Sequence, residues 1–424
     1  MGLRCVGIWL AALAAAAVGG AAFAAELAPA KPEAVGLSSE RLERLDAAVQ
    51  ADVASKRNAG AVVLVVRRGK VAHFKAYGMA DAEKGVPMRP DSLFRLYSTT
   101  KPMVSVGLLM LYEEGKFQLT DPVEKYIPEF AKLQVYDGMK DGQMVLRPPA
   151  RKPTMQDVMR HTAGFPGGIL AAYPGPVEKL WTAATFDPDL GPRMRQIAEL
   201  PLLYDPGQDW RYGPEHDVQA YLIEKLSGMP VETFLRERLF EPLKMHDTAF
   251  SVPPEKMGRY TVMYAPDGAG GLKVFDQPAT SEYLADARHP RGSSGLSSTA
   301  SDAARFGQML LNGGELDGVR ILSRKTVEMM TSDQLPTQVK GVGFFPNTVS
   351  GGLRYGLGIG VLADVAASGR LGSAGTFGWP GYGTTDLEVD PKEQMVMVVF
   401  TQRNPTDMAW VYRVETLTYQ AVAD

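Results

Sequence analysis

The chain has almost no cysteine: Cys5 is the only one in 424 residues. It sits in an N-terminal apolar stretch and would leave with it, so the mature protein has no disulfide, no cysteine nucleophile and no thiolate-bound metal. No His-Glu-x-x-His occurs, which disfavours a zinc-protease helix. A Gly-x-Ser-x-Gly is also missing, which disfavours the sharp serine turn of an α/β-hydrolase. Neither sign of charge dominates, with 45 basic against 48 acidic residues and a net formal charge of −3. Such a balance offers nothing to nucleic acid or to an anionic membrane. With 45% apolar and 22% charged residues, the length suffices for one large domain or two lobes around a sizeable core.

The first 24 residues stand apart. Arg4 gives a thin positive start, an apolar run follows, and Ala22-Phe23-Ala24 forms an A-x-A cleavage site. A membrane anchor is the alternative, but the small Ala/Gly-rich end and the polar chain beyond it favour a cleaved secretory signal. The expected mature protein is 25–424, periplasmic or secreted.

The rest is organised around Phe94 to Met103, which runs directly into the apolar stretch Val104–Tyr112. Apolar on every side, this stretch predicts a buried helix, closed by Gly115. Ser98 and Lys101 lie at its mouth, three residues apart and so on one face. Helix N-termini favour developing negative charge. A serine hydroxyl is a poor nucleophile until something takes its proton, and a buried lysine can be that base because desolvation disfavours the ammonium form. Pro102 suits the first turn, where its missing N–H costs little. Roughly one Ser-x-x-Lys is expected by chance in a chain of this length, mostly on solvated helix surface. This one is singled out by its place on a buried helix and by being the sole copy in the sequence.

Elsewhere, Ser38-Ser39-Glu40 starts a helix with Leu42, Leu45, Ala48 and Val49 on its apolar side. Ala61–Val66 and Val71–Tyr77 flank Arg67-Arg68-Gly69-Lys70 and predict a β-hairpin whose first strand is covered on both faces. His73 within it is assigned a structural role. A polar, proline-rich stretch follows Asp121, then a helix from the Thr154 cap to a stop at Gly164. His161, near that stop, is assigned to tying the loop rather than to catalysis. Residues from about 165 to 285 predict mainly helix. Within them Asp205-Pro206-Gly207 leads through Trp210 to Tyr212, on a loop just before a helix. From Gly292 strand signals return: a helix over 303–311, strands over 355–362, 384–389 and 394–401, and a closing helix over 406–422. Gly375 to Gly383, with Trp379, Pro380 and Gly381, precedes one strand. Its glycines allow close backbone approach and Pro380 points to a sheet edge.

With Ser98-Thr99-Thr100-Lys101-Pro102, Tyr212 and Trp379-Pro380-Gly381 in this order, the chain resembles the penicillin-recognising serine hydrolases. These include class C β-lactamases, D-Ala-D-Ala peptidases and, most similar, family VIII carboxylesterases. The resemblance extends to His161-Thr162-Ala163-Gly164, to Phe240–Thr248 and to Leu311–Gly318. It implies an α+β, β-lactamase/transpeptidase-like fold: an antiparallel sheet flanked by helices (about 30–105 and 290–424), a mainly helical insert (about 106–289), and the active site between them. It further implies Ser98 as nucleophile, Lys101 as its proton acceptor, and Tyr212 sharing proton transfer and protonating the leaving group. The backbone N–H groups of Ser98 and Tyr382 would form the oxyanion hole.

Two departures bear on substrate. Lactamases and peptidases carry an amide side chain where this chain has Pro214, and Lys-Thr-Gly where it has Trp379-Pro380-Gly381. Losing both contacts argues against β-lactams and D-peptides, and Trp379 is expected to offer an apolar wall instead. Family VIII esterases carry Trp-Gly-Gly there, so Pro380 is unusual. The resulting expectation is a serine hydrolase acting on small neutral esters without cofactor or metal. An acyltransferase or a weak β-lactamase or D-peptidase is the runner-up, and a non-catalytic ligand-binding protein the alternative of another class.

Overall fold

The computed structural model describes residues 27–167, 175–285, 290–342 and 351–424. The expected signal peptide lies outside them, as does much of 338–352.

The predicted hairpin forms from β1 (Gly60–Arg67) and β2 (Lys70–Asp81), joined where Arg68 and Gly69 both take positive φ, 52° and 72°. Two consecutive left-handed residues match the twist of the flanking strands. With β3 (Val86–Pro87), β4 (Leu353–Tyr355), β5 (Gly360–Leu362), β6 (Thr376–Gly378), β7 (Thr385–Asp390) and β8 (Met395–Thr401) they build one eight-stranded sheet. Its order is β4-β5-β6-β7-β8-β1-β2-β3, and every pairing is antiparallel. The two ends of the chain therefore meet at β1 and β8, in register from Ala61 opposite Thr401 to Arg67 opposite Met395.

Period-two alternation sends the residues of β1 to two cores. Ala61, Val63 and Val65, with Met395, Met397 and Val399, pack against α1 (Ser39–Ala54) through Leu42, Leu45 and Val49 and against the C-terminal helix α5 (Met408–Tyr419). Val62, Leu64 and Val66, with Val396, Val398 and Phe400, face the larger core with α2 (Thr100–Glu113) and α4 (Ala300–Leu311). Gly307 of α4 lies so close to the sheet that a Cβ would stand 2.7 Å from Val396. His73 is buried beside the Tyr77 hydroxyl at 3.1 Å, and burial pushes its imidazole down to about 4, as a structural histidine requires.

Helix α2 is buried at every position from Thr100 to Leu111, and Gly115 ends it at φ 72°. Several expectations need correction. The helix after Thr154 stops at Met159, not Gly164. The Thr154–Asp157 capping box defines its start, and the left-handed residue that turns the chain is His161, φ 59°. Residues 355–362 make two strands, β4 and β5. The polar stretch before Thr154 contains a hairpin, Val135–Lys140 with Gln143–Arg147, and the helical insert contains another, Met263–Pro266 with Leu272–Asp276. Strand β6, which leads into Trp379, is interior rather than at the sheet edge. Its β5 pairing ends at Gly378, so only the β7 side is hydrogen-bonded beyond that point, through Trp379 N to Leu387 O (3.2 Å) and Gly381 N to Thr385 O (2.7 Å).

β7 alternates too. Leu387 and Val389 enter the larger core, while Asp386 and Glu388 point the other way toward Glu415 of α5. Their oxygens all lie within 4.8 Å of one another, and Arg370 bridges Glu388 and Glu415 at 2.6 Å each. One guanidinium cannot neutralise three carboxylates, and burial pushes the carboxyls of Asp386, Glu388 and Glu415 up into the neutral range. A raised carboxyl stabilises the fold fully below its unfolded value near 4, and that stability is lost as pH rises through the folded value. Each raised unit corresponds to about 1.4 kcal/mol. The melting midpoint should therefore fall between about pH 4.5 and 8, flatten above that, and fall less in Glu388→Gln. Equal falls in the two proteins, measured by circular dichroism, would count against the cluster as the cause.

Candidate active site

Ser98 sits in a short 3₁₀ turn, Tyr97–Thr99, that feeds α2. The turn is strapped down on several sides. Phe94–Arg95 pairs with Ser297–Ser298, and the Leu96 carbonyl accepts from the Thr385 hydroxyl at 3.0 Å. The hydroxyls of Thr99 and Thr385 lie 3.2 Å apart. Tyr97, just before the serine, is held at φ 47°, a left-handed conformation costly for a side chain of this size. Its ring packs against Tyr283 at 4.9 Å and Tyr382 at 5.5 Å, contacts that over-determine the strained turn.

Lys101 is buried, 2% exposed, one turn into α2. Its Nζ lies 3.2 Å from Ser98 Oγ and donates to the Ser293 carbonyl at 2.6 Å. The Ser293 amide in turn donates to Asp217 Oδ1 at 2.9 Å, and Asp217 pairs with Arg193 at 3.1 Å. Lys101 Nζ also stands over the Tyr212 ring, 4.5 Å from its centroid. The three residues singled out for the chemistry thus converge, although Tyr212 meets the lysine with its ring face.

Tyr212 precedes α3 (Glu215–Ser227), and Pro214 is the cap of that helix, buried, its carbonyl accepting from Asp217 and Val218. His161 ties the loop as expected. Its carbonyl accepts from Arg211 N at 3.0 Å, and its ring lies 5.0 Å from that of Tyr212. The His161 Nδ1 contact to Glu215 Oε2, 2.7 Å with both side chains fully buried, fixes the imidazole.

Across the cleft, Gly381 is wedged against the serine turn. A Cβ there would stand 2.1 Å from Leu96 O and 3.0 Å from Thr99 Oγ1. Only glycine lets this backbone approach so closely, and Tyr382 follows it directly. The Tyr382 side chain is anchored by Asn404 Nδ2 (2.8 Å) and its carbonyl by Thr406 Oγ1 (2.7 Å). Trp379 corrects an expectation. It is 1% exposed, packed edge-on to Tyr355 at 4.9 Å, so it is no open wall; its indole N–H donates to the Tyr212 hydroxyl at 3.1 Å. Half-buried Pro380 follows, past the last pairing with β5.

A family model described as Beta-lactamase matches residues 45–418. The chain belongs to the Beta-lactamase family. Within it, protein Rv1367c of Mycobacterium tuberculosis is 32% identical over 351 residues, covering 82% of this chain and 86% of its own. Esterase EstB of Burkholderia gladioli is 30% identical over 372 residues, covering 82% of this chain and 88% of its own. Among solved structures, EstCE1, described as a hydrolase with promiscuous acyltransferase activity, superposes with a TM-score of 0.76. That match is at 22% identity over 89% of this chain and 98% of that one. The chain is a serine hydrolase of the β-lactamase/penicillin-binding-protein superfamily, with the α+β fold that its motifs implied.

Sequence reasoning missed several residues that the structure brings around Ser98 and Lys101. Ser293 contributes a backbone carbonyl, which carries no side-chain signature, and only the Gly292-Ser293-Ser294-Gly295 turn hinted at a special backbone. Asp217 and Arg193 look like ordinary helix-surface charges, yet each is only 7% exposed. Thr385 sits in what reads as a plain β-strand.

Proposed function

We propose that this protein hydrolyses small, neutral carboxylic esters through an acyl-enzyme on Ser98, after export and removal of residues 1–24. The observation that carries the reading is the 3.2 Å contact of buried Lys101 Nζ with Ser98 Oγ at the mouth of α2. In the amine form Lys101 takes the Ser98 proton as Oγ attacks the ester carbonyl. The carbonyl oxygen becomes an oxyanion, for which the amides of Ser98 and Tyr382 are the donors. Such donors are worth about 3 kcal/mol each. Collapse expels the alcohol, and water then releases the acid by the same steps in reverse. The reaction needs no cofactor.

Substrate charge is the second part of the reading. An indole at position 379 has no charge for a substrate carboxylate, and a proline at 214 has no amide to hold a substrate amide. EstB, similar over most of the chain, is an esterase by name.

The test is turnover of p-nitrophenyl butyrate and of a chromogenic cephalosporin by protein purified from the periplasm, whose N-terminal residue is read in the same preparation. Ester turnover is expected from protein that starts at Ala25. The cephalosporin kcat/KM should be lower by about 100-fold, the worth of a lost charge-assisted contact of roughly 2–3 kcal/mol. Cephalosporin cleavage as fast as ester cleavage would refute the substrate assignment.

A further inference from the structure

Trp379 was expected to face the substrate, and it does not. It is 1% exposed and held on each side: its backbone N–H donates to Leu387 O, Tyr355 packs on its edge, and Gly360 passes so near that a Cβ there would stand 3.0 Å from the indole. Its single polar atom, Nε1, donates to Tyr212 Oη at 3.1 Å.

An indole N–H is a donor only. The Tyr212 oxygen therefore accepts from Trp379, and the phenol's one hydrogen is directed elsewhere. A phenol oxygen that already accepts a hydrogen bond gives up its own proton more readily, because hydrogen bonds in a chain polarise one another. Lys101 is over the ring face, and its hydrogen-bond contacts go to Ser98 Oγ and Ser293 O. The two groups are thereby set to different tasks.

We propose that Trp379 is a positioning residue that makes Tyr212 the proton donor to the departing alcohol. This rests on the ester-hydrolysis reading above. In acylation the Ser98 proton passes to Lys101 Nζ and the Oγ–C bond forms. When the tetrahedral intermediate collapses, the C–O bond to the alcohol breaks and its oxygen takes the Tyr212 proton. The phenolate left behind accepts the Trp379 N–H; because Lys101 lies over the ring face and not at the oxygen, its extra proton leaves to solvent water and the phenolate regains one from solvent water. Ester and serine become acyl-serine and alcohol, and both side chains return to their starting forms.

A proton donor matters only for a leaving group that needs the proton. p-Nitrophenolate departs readily as an anion, whereas ethoxide does not, so the two esters separate the proposal from a packing role. The quantity read is the ratio of kcat/KM for p-nitrophenyl butyrate to that for ethyl butyrate, since kcat/KM covers the steps up to alcohol release. General acid catalysis contributes about 10²- to 10⁴-fold. The ratio should rise about 100-fold in Tyr212→Phe and about tenfold in Trp379→Phe, which keeps an aromatic ring but has no N–H. In the double variant it should rise no further than in Tyr212→Phe, because Trp379 acts through the tyrosine.

A ratio within about twofold of the parent in Trp379→Phe would overturn the proposal, as would a double variant showing the product of the two rises. Should Trp379→Phe fail to fold, Trp379→Leu, which also lacks the N–H, is read by the same ratio and the same twofold limit; in either case an equal loss on both esters in Tyr212→Phe removes the tyrosine as donor, and Trp379 with it. The underlying reading fails differently, since Ser98→Ala would then turn over both esters like the parent.

Discussion

Ser98→Ala should lower kcat on p-nitrophenyl butyrate by at least about 10⁴-fold, since knocking out the nucleophile of a serine hydrolase costs up to about 10⁶-fold. The loss is large because nothing beside Ser98 can replace its oxygen. Thr99 and Thr100 are buried, and the Thr99 hydroxyl is engaged with Thr385. The fold should be spared. Ser98 is half-buried, its Oγ is met by Lys101, and Lys101 retains the Ser293 carbonyl when that oxygen is removed. Stopped-flow traces should also lose the burst of nitrophenol that marks acyl-enzyme formation. Retention of more than about 1% of parental turnover, in protein that melts like the parent, would show that the nucleophile lies elsewhere.

Lys101→Arg should lose about 10³-fold in kcat/KM, close to the loss in Lys101→Met, in the range that general base catalysis supplies. The comparison separates two roles that lysine could fill. Arginine keeps a cation near Ser98 Oγ and the Tyr212 ring but cannot release its proton in a protein. Methionine has similar length without charge and leaves the Ser293 carbonyl without its donor, which costs about 1–3 kcal/mol of stability. Both should therefore be inactive, and only methionine should melt markedly lower for lack of a donor. An arginine variant within tenfold of the parent would mean that Lys101 supplies charge alone and that another group is the base.

Much of this site could be read from sequence because it is local. Ser98 and Lys101 share one helix, so three-residue spacing and the apolar run behind them suffice to predict their meeting. The hairpin of β1 and β2 is legible for the same reason, its turn residues and β-branched runs being contiguous. The hairpin at 135–147 was missed although Asp141-Gly142 is a strong turn signal. Its strands are short and largely exposed, so they lack the alternation that burial imposes.

What the tertiary structure decided is where distant segments meet and what each side chain does on arrival. Trp379 read as an apolar wall, since its indole is mostly hydrocarbon and the sequence cannot show which way one N–H points. Only packing against Tyr355 and Gly360 turned that N–H onto Tyr212. Likewise Ser293 acts on Lys101 through a backbone carbonyl, a group common to every residue and so invisible to any pattern of side chains. The chain by itself determined its family, its serine–lysine pair and the alternation that buries β1 on two faces, because these follow from spacing along one element. The partners of Lys101, the orientation of Tyr212 and the approach of Gly381 to Leu96 depend on contacts between residues far apart in sequence, and those exist only once the sheet has closed over α2.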